Sequence, residues 1–325
     1  MKTALITGIS GQDGSYLAEL LLTKGYEVHG TVLASELADP PRLWRIAPIL
    51  NKINLHPASI EDLPAMLAII GEVHPDECYH LAALSVVRYD LSGEFDILRT
   101  NVDGTHNILY ALKQSSPSCR YYFAGSSEMF GIASIFPQDE NTSFHPRSVY
   151  GITKLAGYHL TRLYRETHDL FTCAGILYNH ESERRGEAFV TRKITRTAAR
   201  IKMGIENELR LGNLDARRDW GYAPDYVKAM WLMLQHDRPE DFVVASGQTH
   251  SVREFAAAAF AALDLDWRPY VVVDPAFYRP AEAVPLVGNP TRAKDQLGWQ
   301  PTVTFEDLVE RMVRADIERI KAENR

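Results

Sequence analysis

The chain has 325 residues, 46% of them hydrophobic, enough for one large or two medium domains around a sizeable core. Its net charge of −7 gives no overall basic field for a phosphate backbone, so nucleic acid is not an expected partner. Cys78, Cys119 and Cys173 lack metal-site spacing, and no apolar run approaches the roughly 18 residues of a membrane span, so a soluble, cytoplasmic, metal-free protein is expected.

The chain opens on a short apolar run, KTALIT, followed by Gly8, Gly11 and Gly14 and then a helical pattern. Strand, tight turn and helix in that order bring a helix N-terminus and small residues up to a pyrophosphate, which points to dinucleotide binding. The G-x-x-G-x-x-G spacing departs from the usual fingerprint, and a plain strand-to-helix turn is its alternative. Glu27 to Val32 supplies a second strand, after which a Rossmann site places an acid for a ribose or an arginine for a 2′-phosphate. Here stand Leu33, Ala34, Ser35 and Glu36, with Arg42 and Arg45 beyond two prolines, so NAD and NADP both stay open.

Ile53 to His56 reads as a third strand, Leu63 to Ile70 as a helix closed by Gly71, and Glu77 to Leu81 as a fourth strand running into Ala82, Ala83, Leu84 and Ser85. Small residues there leave room for a cofactor across the strand tops, or serve tight packing. Asn101 to Lys113 is an amphipathic helix, and Arg120 to Ala124 a fifth strand ending in Ser126, Ser127 and Glu128. Ligands of open parallel sheets lie outside such carboxyl ends. Tyr150 and Lys154 follow at i and i+4 on one helix face, where the ammonium is expected to pull the phenol below its usual pKa of about 10. Phe171 to Leu177 is a sixth strand, completing an α/β, doubly wound parallel Rossmann sheet with a smaller C-terminal α/β domain.

From Asn179 a run of basic residues begins at the mouth of the expected cleft, and phosphate contact or a solvated face would each explain it. GNLDARRDWGYAPDYV holds Arg217, Arg218, Asp219 and Asp225, and FYRPAEAV holds Arg279 and Glu282. An arginine fork matches phosphate oxygens and a glutamate can accept from a guanine, while ion pairing among the same residues is the alternative. The division expected is residues 1–178 for the dinucleotide, with a return segment around 212–247, and residues 179–211 and 248–325 for a nucleotide sugar.

Taken together, TGISGQDGSYLAELLLTKGYEVHG, SSEMFG, PRSVYGITKL, GILYNHES, FVTRKITR, LGNLDARRDWGYAPDYV and RPAE resemble the extended short-chain dehydrogenase/reductase superfamily. Within it the resemblance is to the GDP-mannose 4,6-dehydratase family, and it covers essentially the whole chain. It implies a hydro-lyase that turns GDP-mannose into GDP-4-keto-6-deoxymannose by C4 oxidation, 5,6-elimination of water and C6 reduction, with NADP or NAD retained throughout. Ser126, Glu128, Tyr150 and Lys154 are then catalytic. Glu128 is the most telling, because epimerases of the superfamily usually lack it. Cofactor contacts are implied for Gly8, Gly11, Asp13, Gly14, Ser85, Lys154, His180 and Arg185, and nucleotide-sugar contacts for Ser85, Asn179, Lys193, Arg218, Arg279 and Glu282.

Departures from the family pattern cluster on the cofactor side. Ala34 and Ser35 stand for an arginine pair, Ser59 for an aspartate and Leu84 for a glutamine, while Ser126 replaces a threonine and keeps its hydroxyl. A 4-epimerase, a 4-reductase or a GDP-heptose dehydratase remain as alternatives, as does a non-catalytic nucleotide-sugar-binding protein. Ile152, Leu155, Ala156, Leu160 and Leu163 put apolar residues on several faces of the Tyr150 helix. A homodimer through that helix is expected, or a homotetramer.

Overall fold

A computed structural model describes residues 1–85, 91, 93–278 and 286–323. Its centre is a seven-stranded parallel sheet: β1 (Thr3–Thr7), β2 (Glu27–Val32), β3 (Asn54–Pro57), β4 (Glu77–His80), β5 (Arg120–Ala124), β6 (Thr172–Leu177) and β7 (Phe242–Val244). The order across the sheet is β7-β6-β5-β4-β1-β2-β3. All neighbours run parallel, and the order in which strands are added reverses between β1 and β4, the switch point at which a crevice opens at the carboxyl ends.

Alternation along the strands divides the core into two layers. Ala4 and Ile6 of β1, Tyr79 of β4 and Tyr122 of β5 face one hydrophobic cluster, which includes Leu17, Leu21, Met230 and Trp299. Leu5, Cys78, Tyr121 and Phe123 face the other, with Met66, Ile70, Ile108 and Leu112. A strand buried on both sides is mostly apolar, as in β1 and β5, while β4 also buries Glu77 and His80, each with a hydrogen-bond partner. The doubly wound sheet expected from the strand and helix alternation is the one observed. Cys78, Cys119 and Cys173 are all buried and free, and burial pushes each thiol above its usual range.

A third cluster draws on Ile194, Leu209, Leu211, Trp220, Phe255, Phe260, Leu308 and Met312. It packs the helices Val190–Lys202, Val252–Ala261 and Phe305–Glu323 beside the sheet. No helix among the described residues is long and apolar enough to cross a membrane.

Two helices differ from the sequence reading. The one from Leu63 does not stop at Gly71 but runs to Val73, and His74 ends it in the left-handed region at φ 45. An internal glycine costs only about 1 kcal/mol, less than the burial of Ile69 and Ile70 contributes. The amphipathic helix starts at Gly104 rather than Asn101, because Arg99–Asp103 form a π turn between it and a short helix, Glu94–Leu98. Asn101 thereby leaves the helix surface and is buried at 3% exposure.

Candidate active site

A cleft of about 750 Å³ lies over the carboxyl ends of β1, β4 and β5. It is lined by Gly8, Gly11, Asp13, Gly14, Ser85, Ser126, Glu128, Tyr150, Lys154, Asn179, His180, Arg185 and Arg218. Lys193 is not among them: its ammonium lies 3.7 Å from the Phe277 ring centre and faces a smaller hollow shared with Arg196 and Arg200. Arg279 and Glu282 lie outside the described residues.

The glycine-rich turn is shaped by contact. Gly8 sits at φ +71, and a Cβ there would stand 2.9 Å from the Cα of Ala82, so β1 and β4 close together only over glycine. A Cβ on Gly14 would lie 2.4 Å from the Gly8 carbonyl oxygen, which holds the helix Gln12–Thr23 against the turn. Gly11 is the N-cap of that helix and brings no side-chain cap, leaving the first backbone N–H groups to an anion. Turn, uncapped helix end and cleft fit a dinucleotide.

Above the turn, Asp13 is locked to His180, with Asp13 Oδ2 at 2.8 Å from Nε2, while His180 Nδ1 lies 2.7 Å from the Tyr178 carbonyl oxygen. Burial opposes the charges on both, yet their mutual attraction holds Asp13 below and His180 above its ordinary pKa. His180 therefore has both ring nitrogens engaged within the protein. Arg185 Nε is 3.0 Å from Glu181 Oε2, an ion-pair distance whose geometry falls short of a hydrogen bond, and its guanidinium lies over the Phe189 ring.

The reactive corner is built by β5 and the helix Val149–His168. Ser148 caps that helix by accepting the Gly151 N–H at 3.0 Å, which sets Tyr150 in the first turn. Ser126 Oγ accepts the Glu128 N–H at 3.2 Å, turning the chain into a 3-10 turn that carries Glu128. Lys154 Nζ donates to the Ala124 carbonyl at 2.8 Å, at the end of β5. The Ser126 side chain lowers the Tyr150 pKa and the Glu128 charge raises it, and all three side chains line the same cleft.

The expectation for Tyr150 is corrected in one respect. Its pKa is pushed up to about 12: burial is the largest cause, Glu128 adds to it, and the Ser126 hydrogen bond and Arg185 pull the other way. Lys154 does not set it. The Lys154 ammonium points at the Ala124 carbonyl, 5.8 Å from the Tyr150 ring centre, and burial brings its own pKa down to about 8 against the attraction of Asp13.

Three supporting residues escaped the sequence reading. Asn101, freed by the π turn, accepts the Leu84 N–H at 2.9 Å and donates to Thr153 Oγ1 at 3.0 Å, tying the loop after β4 to the Tyr150 helix. Nothing in its spacing marks it. Gly151 carried a signal: glycine just after Tyr150 weakens a helix without apparent reason. A Cβ there would stand 2.7 Å from the Glu128 carbonyl oxygen. Gly151→Ala must part Tyr150 from Glu128, and kcat is expected to drop about 10- to 100-fold, as sub-ångström to ångström misplacement does. Steady-state assays beside thermal melts check this; a well-folded variant within twofold of wild-type kcat would show that the close approach does not matter.

His80 is the third. Thr7 Oγ1 already accepts the Leu81 and Ala82 amides, so its proton goes to His80 Nδ1 at 2.8 Å. Nε2–H then donates to Thr105 Oγ1 at 3.1 Å, and Thr105 donates to the Asn101 carbonyl at 2.6 Å. Burial, aided by the Lys154 charge, pushes the His80 pKa down to about 3. An unfolded histidine binds a proton near pH 6.5, so this contribution is intact above that value and is lost as pH falls towards 3. By about pH 5 the loss is roughly 2 kcal/mol. Urea unfolding should therefore show a larger drop between about pH 8 and pH 5 for wild type than for His80→Gln; parallel pH dependence would refute this.

The sequence model of the family described as GDP-mannose 4,6 dehydratase matches residues 5–312. The chain is 48% identical to GDP-mannose 4,6 dehydratase 2 of Arabidopsis thaliana, over 99% of this chain and 88% of that one. It is 45% identical to the GDP-mannose 4,6 dehydratase of Homo sapiens, over 98% and 92%. Among solved structures, RMD from Pseudomonas aeruginosa complexed with NADPH superposes with a TM-score of 0.81 at 24% identity, covering 98% of this chain and 100% of that one. The dTDP-glucose 4,6-dehydratase of Bacillus anthracis in complex with NAD gives 0.85 at 18% identity, covering 99% and 98%, which speaks for the fold.

Proposed function

The chain belongs to the GDP-mannose 4,6-dehydratase family, and from that premise we propose that it converts GDP-mannose to GDP-4-keto-6-deoxymannose in the cleft just described. The reaction is that of a hydro-lyase. The observation that carries the site assignment is the meeting of Ser126, Glu128 and Tyr150 at the end of β5, with Lys154 behind them.

A bound NAD or NADP, held on the Gly8, Gly11 and Gly14 turn, supplies the hydride acceptor for C4 and later the donor for C6. Tyr150 takes the proton from O4, and the Ser126 hydroxyl, whose influence lowers the phenol's pKa, steadies the same oxygen. Because burial raises the phenol's pKa, the Ser126 bond and the cationic side of the cleft must favour the phenolate. Lys154 is assigned its catalytic role by family resemblance and is anchored on the Ala124 carbonyl. The 4-keto group acidifies the C5 proton; Glu128 takes it and gives it to O6 as water leaves. The hydride lost from C4 is regained at C6 and the proton Tyr150 took from O4 balances the one restored to C5, so no net redox change would remain.

Asn179, Arg218 and Ser85 line the same cleft and are assigned to the nucleotide sugar, with Arg279, Glu282 and Lys193 assigned by family resemblance. The third hydrophobic cluster supports a separate nucleotide-sugar portion. Leu214, Ala216 and Trp220 belong to it, while Tyr226, Val227 and Met230 pack in the cluster on the sheet, which supports a return segment in this part of the chain. Three buried thiols suit a cytoplasmic setting.

Ile152 and Leu163 are 49% and 46% exposed on one face of the Tyr150 helix, whereas Leu155 and Leu160 pack into the chain's own core. That face is assigned to a homodimer, and sedimentation as a stable monomer at micromolar concentration would reject it. For the activity itself, incubating the purified chain with GDP-mannose should yield a sugar nucleotide lighter by one water. Unchanged substrate with either nicotinamide cofactor added would sink the reading.

A further inference from the structure

We propose that this chain is built for NAD rather than for its 2′-phosphorylated form, and that Glu36 makes the choice. The inference rests on the dinucleotide reading above and deepens it. Glu36 sits in a single turn, Ala34–Leu37, just past β2, about 20 residues beyond the glycine-rich turn, and it lines the cleft with Thr31, Val32 and Ser10. With the pyrophosphate at the helix after β1, the adenosine ribose comes to rest over the end of β2.

The Glu36 carboxylate is anchored there. Oε1 accepts the Ser10 hydroxyl at 2.9 Å and Oε2 accepts the Leu33 N–H at 3.0 Å, so it cannot swing aside without losing both bonds. Its remaining lone pairs suit ribose hydroxyls, which donate. A 2′-phosphate is an acceptor of the same sign and would meet an immobilised negative charge.

Arg45 is the cation that could reverse this, since it lines the same end of the cleft. Its Nε is committed to the Arg184 carbonyl at 2.8 Å and its guanidinium lies 4.6 Å from the Trp44 ring centre. Arg99, on the adenine side, is spent on Glu61 and Asp96 at 2.7 and 2.9 Å. One tethered guanidinium facing a fixed carboxylate makes no phosphate site.

The test reads nucleotide rather than turnover. Denaturing the purified protein and separating the released nucleotide should give NAD or NADH. Fluorescence titration after exchange should show NADH binding at least about tenfold tighter than NADPH, the scale that like-charge juxtaposition sets. Glu36→Gln, which keeps the shape and drops the charge, should shrink that ratio by improving NADPH binding, and Glu36→Ser should do so again. NADPH binding as tightly as NADH in the wild type, or a ratio that neither substitution moves, overturns the proposal while leaving the dinucleotide reading intact. Binding of neither nucleotide overturns both.

Discussion

A Glu128→Gln enzyme is expected to form dehydrated product about a thousandfold more slowly than wild type, within the range that a positioned acid–base group contributes. Glutamine keeps the length of the side chain and leaves the backbone of the turn alone: the Ser126 hydroxyl still accepts the residue 128 N–H, and Gly151 still packs on the carbonyl. The loss therefore reports proton transfer at C5 and O6 rather than misplacement. Removing this carboxylate has a second effect of known sign. The Glu128 charge raises the Tyr150 pKa, so without it the phenol ionises more readily. Oxidation at C4 should be spared, and its pH profile should move to lower pH. Product mass spectrometry over a pH series checks both, and wild-type rates of water loss would remove Glu128 from the mechanism.

Tyr150→Phe is expected to cost about 10³- to 10⁴-fold in kcat with KM for GDP-mannose changed only a few-fold. The phenol hydroxyl is the group through which O4 loses its proton. Phenylalanine keeps the ring packing, so binding is little affected. Ser126→Ala should act through the same atom more mildly: losing its hydrogen bond raises the Tyr150 pKa further. Initial-rate kinetics separate the two parameters. A Tyr150→Phe enzyme within tenfold of wild-type kcat would place the O4 base elsewhere.

How much could be read beforehand follows from what is local. The strands Glu27–Val32 and Arg120–Ala124 are found as expected: the second is an apolar run, YYFA, after Arg120, and the first, EVHGTV, follows the turn that ends the helix Gln12–Thr23. That Ser126, Glu128, Tyr150 and Lys154 line one cleft follows from local pattern too: each stands at a strand end or near a helix start. Asn101 was not, since a π turn depends on what the helix must reach across and not on its own residues. The Tyr150 pKa was misjudged because helix spacing shows that Lys154 is near but not that its ammonium turns to Ala124, nor how deeply the phenol is buried. In the sequence Glu36 is one residue of a loop with no clear ribose or phosphate signal; only its bonds to Ser10 and Leu33 show it fixed.

The most direct measurement is a rapid acid quench of each variant at enzyme concentrations matching GDP-mannose, with the sugar nucleotide read by mass spectrometry. Glu128→Gln should accumulate a bound species two hydrogens lighter than the substrate that has lost no water, while Tyr150→Phe should return the substrate untouched. Loss of water by the Glu128→Gln enzyme, or oxidation by the Tyr150→Phe enzyme, would contradict a site in which these two side chains divide the reaction between them.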